Sequence, residues 1–175
     1  MIVFINGAFG VGKTTVAERL VQRIPHSLLF DPEEVGYLLR NVLSPIEKPD
    51  DFQHYTMWRP LVVKTAQMLL ETYQRTLIMP MTFWHLPYFE EVIGGLREIE
   101  PDFYHFCLTA PIPVIHARLE QRGEEREGWA WVRAEWCYNA YQSPLFEQKI
   151  PTETLSSEEI TETILSTLKI AGISP

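Results

Sequence analysis

The chain predicts an α/β fold, a five-stranded parallel sheet with helices on both faces, and three observations carry that expectation. Five short apolar runs recur along the chain, the segments between them carry helical periodicity, and the runs themselves have little internal polarity. Strands without polar alternation suit a sheet covered on both sides. With 175 residues, 46% of them apolar and 22% charged, the chain fits one compact domain with a sizeable core. No break in composition marks a second module, so residues 1–175 read as a single domain.

The first strand, Ile2–Asn6, runs directly into Gly7-Ala8-Phe9-Gly10-Val11-Gly12-Lys13-Thr14, and a helix ending near Arg23 follows. This segment satisfies G-x-x-x-x-G-K-[ST] in the strand-to-helix context the motif needs. Glycines at 7, 10 and 12 let the backbone turn tightly and aim its N–H groups at a β-phosphate, where the positive end of the helix adds to the field. Lys13 reaches the β- and γ-phosphates, and the Thr14 hydroxyl is placed to ligate Mg²⁺. Thr15 serves either as an α-phosphate contact or as helix packing. ATP with Mg²⁺ is therefore the expected cofactor, and the fold narrows to the three-layer P-loop NTPase fold of the nucleotide-kinase type.

The second strand, Ser27–Phe30, delivers Asp31 to its carboxyl end, where open α/β sheets place their ligands. Asp31 reads as a proton acceptor for an attacking hydroxyl or as a holder of Mg²⁺-bound water, and with Pro32 and Glu34 behind it also as a helix cap. Residues 32–73 form a helical segment on the acceptor side, interrupted by the turn-rich excursion Leu43–Asp51. Asp50-Asp51-Phe52-Gln53 reads as another helix start, which Pro60 kinks or restarts before Leu61–Tyr73, leaving Arg59 at an irregular junction. The third strand, Thr76–Met81, ends without the acid that in many P-loop proteins helps to hold Mg²⁺. Thr82 and His85 lie just beyond it, Thr82 as an acceptor contact and His85 more as a capping or surface residue.

After the fourth strand, Phe103–Thr109, a helix opening at Thr109-Ala110-Pro111 carries Arg118 and Arg122 four residues apart on one face. One suits stacking on a base and the other phosphate oxygens. Residues 122–128 form a short lid bearing Arg126, whose closure would exclude water and bring positive charge to the transferring phosphate. The same arginines would equally pair with Glu120, Glu124, Glu125 and Glu127. Trp129, Val132, Trp136 and Ala140 recur at helical spacing and read as a core-facing stripe. The fifth strand, Gln148–Thr152, precedes a last helix opened by Ser156-Ser157-Glu158-Glu159.

The formal charge of −8, from 23 acidic and 15 basic residues, argues against nucleic acid as a partner. Cys107 and Cys137 sit in apolar segments without metal-ligand spacing and read as buried thiols. The chain enters an apolar strand at once, without a signal-peptide pattern, and no apolar run approaches about 18 residues, so a soluble, cytoplasmic protein is expected. A homodimer is compatible with the sequence.

Phe4-Ile5-Asn6-Gly7 through Thr14, with Phe30-Asp31-Pro32-Glu33, Asp51-Phe52-Gln53, Trp58-Arg59, Met79-Pro80-Met81-Thr82, Ser143-Pro144-Leu145-Phe146-Glu147 and Ile150-Pro151-Thr152, resembles the tunicamycin resistance protein family over Ile2 to about Leu168. The resemblance implies an ATP-binding protein that confers resistance to a nucleoside antibiotic, with the fold of the nucleotide, shikimate and chloramphenicol kinases. It leaves open whether the drug is phosphorylated or only captured. By similarity to those kinases, Asp31 matches the acid after the second strand. Arg118, Arg122 and Arg126 match adenine-side and lid arginines, and Thr152 falls in the loop beside adenine. Lys13, Asp31, Arg122 and Arg126 are then the expected catalytic residues. Arg40, Trp58 and Arg59 join Asp31 and Thr82 on the acceptor side, although both arginines also suit surface ion pairs. The family is also linked to a membrane through a carboxyl-terminal amphipathic helix. Here Ile160, Ile164, Leu165 and Leu168 form an apolar stripe, but Glu158, Glu159 and Glu162 face outward with only Lys169 basic. That pattern predicts a helix docked on the sheet and no stable membrane insertion.

Overall fold

The computed structural model describes residues 1–170, with side chains to 168. Its elements in chain order are β1 (Ile2–Gly7), α1 (Lys13–Arg23), β2 (Ser27–Leu29), α2 (Pro32–Leu43), a 3₁₀ turn (Phe52–His54), α3 (Trp58–Tyr73), β3 (Thr76–Met81), α4 (Leu86–Ile99), β4 (Phe103–Thr109), α5 (Ile112–Gln121), α6 (Trp129–Ala140), β5 (Lys149–Pro151) and α7 (Ser157–Ile170). The strands pair in parallel in the order β2-β3-β1-β4-β5. Ile2, Val3, Phe4 and Ile5 are all fully buried. Because successive strand side chains point to opposite faces, a strand buried at every position needs helices on both sides. Helix pairs α1/α7 and α3/α4 supply that cover.

Asp31 caps α2 by accepting from the Glu33 N–H at 2.9 Å, with Pro32 in the first turn. At α7, Ser156 and Glu159 cap reciprocally: the Glu159 N–H donates to Ser156 Oγ at 3.2 Å and the Ser156 N–H to Glu159 Oε2 at 2.8 Å. Ile160, Ile164, Leu165 and Leu168 are buried, and Glu158 and Glu162 pair with Arg19 and Arg23 of α1. The last helix is thus docked along its apolar stripe; the Lys169 side chain lies outside the described residues. Among the described residues, no helix is long and apolar enough to cross a membrane.

Two local expectations are corrected. Asp51 caps only the 3₁₀ turn, and α3 starts afresh at Trp58 with Pro60 in its first turn, where a missing N–H costs no helical bond, so no kink forms and Arg59 lies in regular helix. The second concerns α6. Trp129, Val132 and Trp136 are exposed, while Ala130, Arg133, Ala134 and Cys137 face inward. The inner face combines Arg133 with three small residues, and α6 packs against α5, which leaves the large rings on the outside. They do not stand idle there, since Arg133 lies over both Trp129 and Trp136, at 4.1 and 5.2 Å from the ring centroids.

Both cysteines are free and buried, and burial pushes the Cys107 and Cys137 thiols up to about 12 and about 11.

Candidate functional site

The site begins where β1 ends. Gly10 and Gly12 adopt φ of 79° and 96°, the left-handed region that a side chain disfavours, and Gly12 is the cap residue of α1. A Cβ at Gly7 would meet the Leu108 carbonyl oxygen at 2.8 Å, so the loop and β4 approach as closely as they do only because position 7 is glycine. Lys13 folds back under the loop and donates from Nζ to the Ala8 carbonyl at 2.9 Å. Burial lowers its ammonium to about 8, an effect that the nearby Glu33 and Asp31 carboxylates oppose.

A cavity of about 220 Å³ opens over this loop, lined by Gly12, Lys13, Thr14, Asp31, Glu33 and Arg122 among others. Pro80 of β3 is part of its wall, so the strand next to the loop presents no carboxylate there. The acids come instead from the start of α2. Burial raises the Asp31 carboxyl above the usual range, and burial followed by the charge of Asp31 does the same to Glu33. Two acids held near one half-buried lysine form a set whose negative charge is only partly offset. Among the described residues, no three His, Cys, Asp or Glu side chains converge as a metal cage. A divalent ion in this cavity would therefore rest on the Thr14 hydroxyl, one of these acids and the oxygens of a ligand, which is the donor set that suits Mg²⁺.

A larger cavity, about 420 Å³, adjoins the first and shares Phe9, Glu33, Glu124 and Ala130 with it. Arg40 stands exposed in its lining, Thr82 is buried there at 1% exposure, and Tyr37, Phe52 and Trp129 supply its flat walls. The Phe9 and Trp129 rings meet edge to face at 5.0 Å. On the far side of the loop, a third hollow of about 280 Å³ is lined by Thr15, Arg118, Arg122, Thr152 and Leu155. Arg118 there donates to Thr152 Oγ1 at 2.9 Å and to its carbonyl at 2.6 Å.

The fold therefore gathers Gly10, Gly12, Lys13, Thr14, Thr15, Asp31 and Arg122 around the loop, with Phe9 shared between the loop cavity and the largest of the three, while Ala8 and Val11 are buried in the loop itself. It joins Arg118 to Thr152 and sets Arg40 and Thr82 in the larger cavity. Arg126 stays apart, 77% exposed and paired with Glu120 at 2.8 Å. Trp58 and Arg59 do not line the larger cavity. Trp58 is fully buried against Phe52 and Phe83 and donates from Nε1 to the Pro32 carbonyl at 3.1 Å, because its large apolar surface is better covered inside than at a rim. Arg59 donates to the Gln53 carbonyl at 2.7 Å and to Glu91 at 2.5 Å and stacks over Tyr88. His85 occupies the cap position of α4 without a side-chain cap bond, its ring 4.0 Å from that of Tyr88.

Glu33 is the residue that sequence reasoning missed. Its signal was present in the D-x-E spacing: with Asp31 as cap, the residue two positions on projects from the first turn of α2, and Asp31 in fact bonds the Glu33 N–H. Gln53 carried no comparable signal, because a lone glutamine after a capped turn looks like surface.

A glycine-rich loop joining the first strand to the first helix, in a parallel sheet ordered β2-β3-β1-β4-β5, defines a P-loop protein with the nucleotide-kinase fold. The chain belongs to the AAA domain family, whose model matches residues 2–136. It is similar to the tunicamycin resistance protein of Deinococcus radiodurans at 29% identity, with a TM-score of 0.80, over 96% of this chain and 95% of that one. A gluconokinase from Sinorhizobium meliloti shares the fold at 14% identity and a TM-score of 0.68, over 97% of this chain and 93% of that one. A shikimate kinase from Acinetobacter baumannii, in complex with shikimate, does so at 14% identity and 0.65, over 99% and 95%. No curated protein matches the chain.

Proposed function

We propose that this protein binds ATP with Mg²⁺ and transfers the γ-phosphoryl group to a hydroxyl of a small nucleoside-like compound, with tunicamycin as the first candidate and drug resistance as the outcome. One observation carries the reading: the cavity over the phosphate loop and the larger aromatic cavity are contiguous, and Glu33 lines both. A polyphosphate in the first would point its terminal group at an acceptor in the second, as in-line transfer requires.

In this reading the loop amides, Lys13 and Arg122 hold the phosphates, and Arg118 with Thr152 flanks the base in the third hollow. Thr14 and Asp31 hold Mg²⁺, which offsets phosphate charge when bound. As the acceptor oxygen bonds to phosphorus and the bond to ADP breaks, the hydroxyl proton passes to a carboxylate. Glu33 is the better placed of the two acids, since Asp31 lines only the phosphate cavity and directs one oxygen to the Glu33 N–H. Arg126 would enter from a lid at residues 122–128, where Gly123 at φ 80° supplies a turn.

Purified protein incubated with γ-labelled ATP and tunicamycin should yield phosphorylated drug detectable by mass. Tight binding of both compounds without product would instead establish the second reading, an ATP-dependent protein that sequesters the drug. That alternative draws on β3, whose Pro80 and Met81 stand where many P-loop enzymes carry a metal-holding acid.

A further inference from the structure

Two residues of the larger cavity's lining each carry a side-chain oxygen that has no partner among the described residues. Gln53 is 4% exposed and Thr82 1%, and neither Gln53 Oε1 nor Thr82 Oγ1 has a hydrogen-bond partner. Buried polar atoms without partners are uncommon, and each such atom has a cost that a ligand can remove. Both residues line the cavity.

Gln53 is held on three sides. Its backbone N–H donates to Asp51 Oδ1 at 2.9 Å, its carbonyl accepts from Arg59 Nη1 at 2.7 Å, and its Nε2 donates to the Thr82 carbonyl at 3.1 Å. The last contact sets the amide orientation, because a flipped group would set Oε1 against that carbonyl. What remains without a partner is the Gln53 acceptor and the Thr82 hydroxyl.

The charges around this cavity point the same way. Glu33, Asp50 and Glu124 line the cavity, and the one cation in its lining is the exposed Arg40. The other guanidiniums nearby are engaged. Arg133 is buried between two tryptophan rings and pairs with Asp50 at 2.7 Å and with Asp51 at 3.6 Å. Arg59 is tied to Glu91 and lies outside the cavity. A carboxylate or phosphate entering here would meet acids without a buried cation to pair with.

We infer that Gln53 and Thr82 are the pair that reads the acceptor, taking a neutral group that donates hydrogen bonds, a hydroxyl or amide N–H carried on an apolar or aromatic body, and that the site rejects anionic acceptors. This rests on the functional reading above and narrows its substrate class. Tyr37, Phe52 and Trp129 cover the apolar body while Gln53 and Thr82 take the donor.

The test uses calorimetric titration of the full chain loaded with ATP and Mg²⁺, with tunicamycin, shikimate and the neutral methyl ester of shikimate as probes. Tunicamycin should bind, and the ester should bind better than the acid. Thr82→Val, which removes only an unpartnered hydroxyl, should weaken tunicamycin about tenfold, leave ATP affinity unchanged and leave the melting temperature unchanged or higher. Gln53→Met provides the second variant, with the same expected loss of tunicamycin affinity and unchanged ATP affinity but a lower melting temperature, because the Thr82 carbonyl loses its donor. An acid bound as well as its ester, no neutral probe bound, or full tunicamycin affinity in both variants would overturn the assignment while leaving nucleotide binding intact. Failure to bind ATP at all would sink the functional reading itself.

Discussion

On the proposed function, the phosphate half and the acceptor half of this cleft are built in opposite ways. The first is local: eight consecutive residues, Gly7 to Thr14, make the loop and open the helix behind it. The second draws Tyr37 from α2, Gln53 from the 3₁₀ turn, Thr82 from the end of β3 and Trp129 from α6. A loop whose geometry follows from its own backbone can be recognised by spacing alone. A cavity assembled from four separated elements has no spacing to recognise, and its chemistry can change by single substitutions that leave the fold alone.

That contrast can be broken by variants that should affect one half only. Lys13→Ala should have the largest effect, abolishing ATP binding in a nucleotide titration, because the loop loses the ammonium held against its Ala8 carbonyl; retained affinity would show that the loop does not hold phosphate as proposed. Glu33→Gln should cut the rate of transfer by about 10²–10⁴-fold with ATP and drug affinity kept. If Asp31→Asn produces that pattern and Glu33→Gln does not, the roles of the two acids are exchanged.

Trp129→Ala should weaken the acceptor about tenfold through lost ring contact and change ATP affinity little, as paired titrations would reveal; equal losses for both ligands would mean the halves are not separable. Smaller still is a pH effect on the phosphate half. Lys13 is lowered to about 8, so its charged form prevails below that pH and is lost above it. ATP affinity should therefore fall as pH rises through 8, by at most about tenfold per unit, and should flatten if another group supplies the charge.

The least effect on either ligand is expected at the sheet that supports both halves. His105 of β4 is 2% exposed among Phe4, Phe89 and Phe146, with neither ring nitrogen partnered, and burial lowers it to about 4. The unfolded chain takes up this proton nearer 6.5, so stability should decline as pH falls from 6.5 towards 4, by up to about 3 kcal/mol. His105→Phe should remove that acid-side loss in thermal melts while ATP and drug affinities hold.

Legibility in the sequence followed the same division. Apolar runs placed Thr76–Met81 and Phe103–Thr109 at their observed bounds, and the other strands within a residue at either end. The loop motif located Lys13 and Thr14, and strand-end logic located Asp31. Reading failed where exposure depends on what lies opposite. The spacing of Trp129, Val132 and Trp136 marks a helix face but not which way it turns, and the side of α6 that carries Ala130, Arg133, Ala134 and Cys137 became the inner one through what packs against it. Trp58 and Arg59 sat in the right segment but faced the core and Glu91 rather than the cavity.

The sequence by itself determined the strand segments, the glycine-rich loop and the carboxylate that follows the second strand, since each is written in a local pattern, whereas the pairing of strands such as β1 with β3 and β4 is long-range. Only the tertiary structure decided which side chains line the larger cavity. That choice is a competition for burial among distant elements, and it left Glu33, Gln53 and Thr82 lining one cleft while Trp58 went to the core.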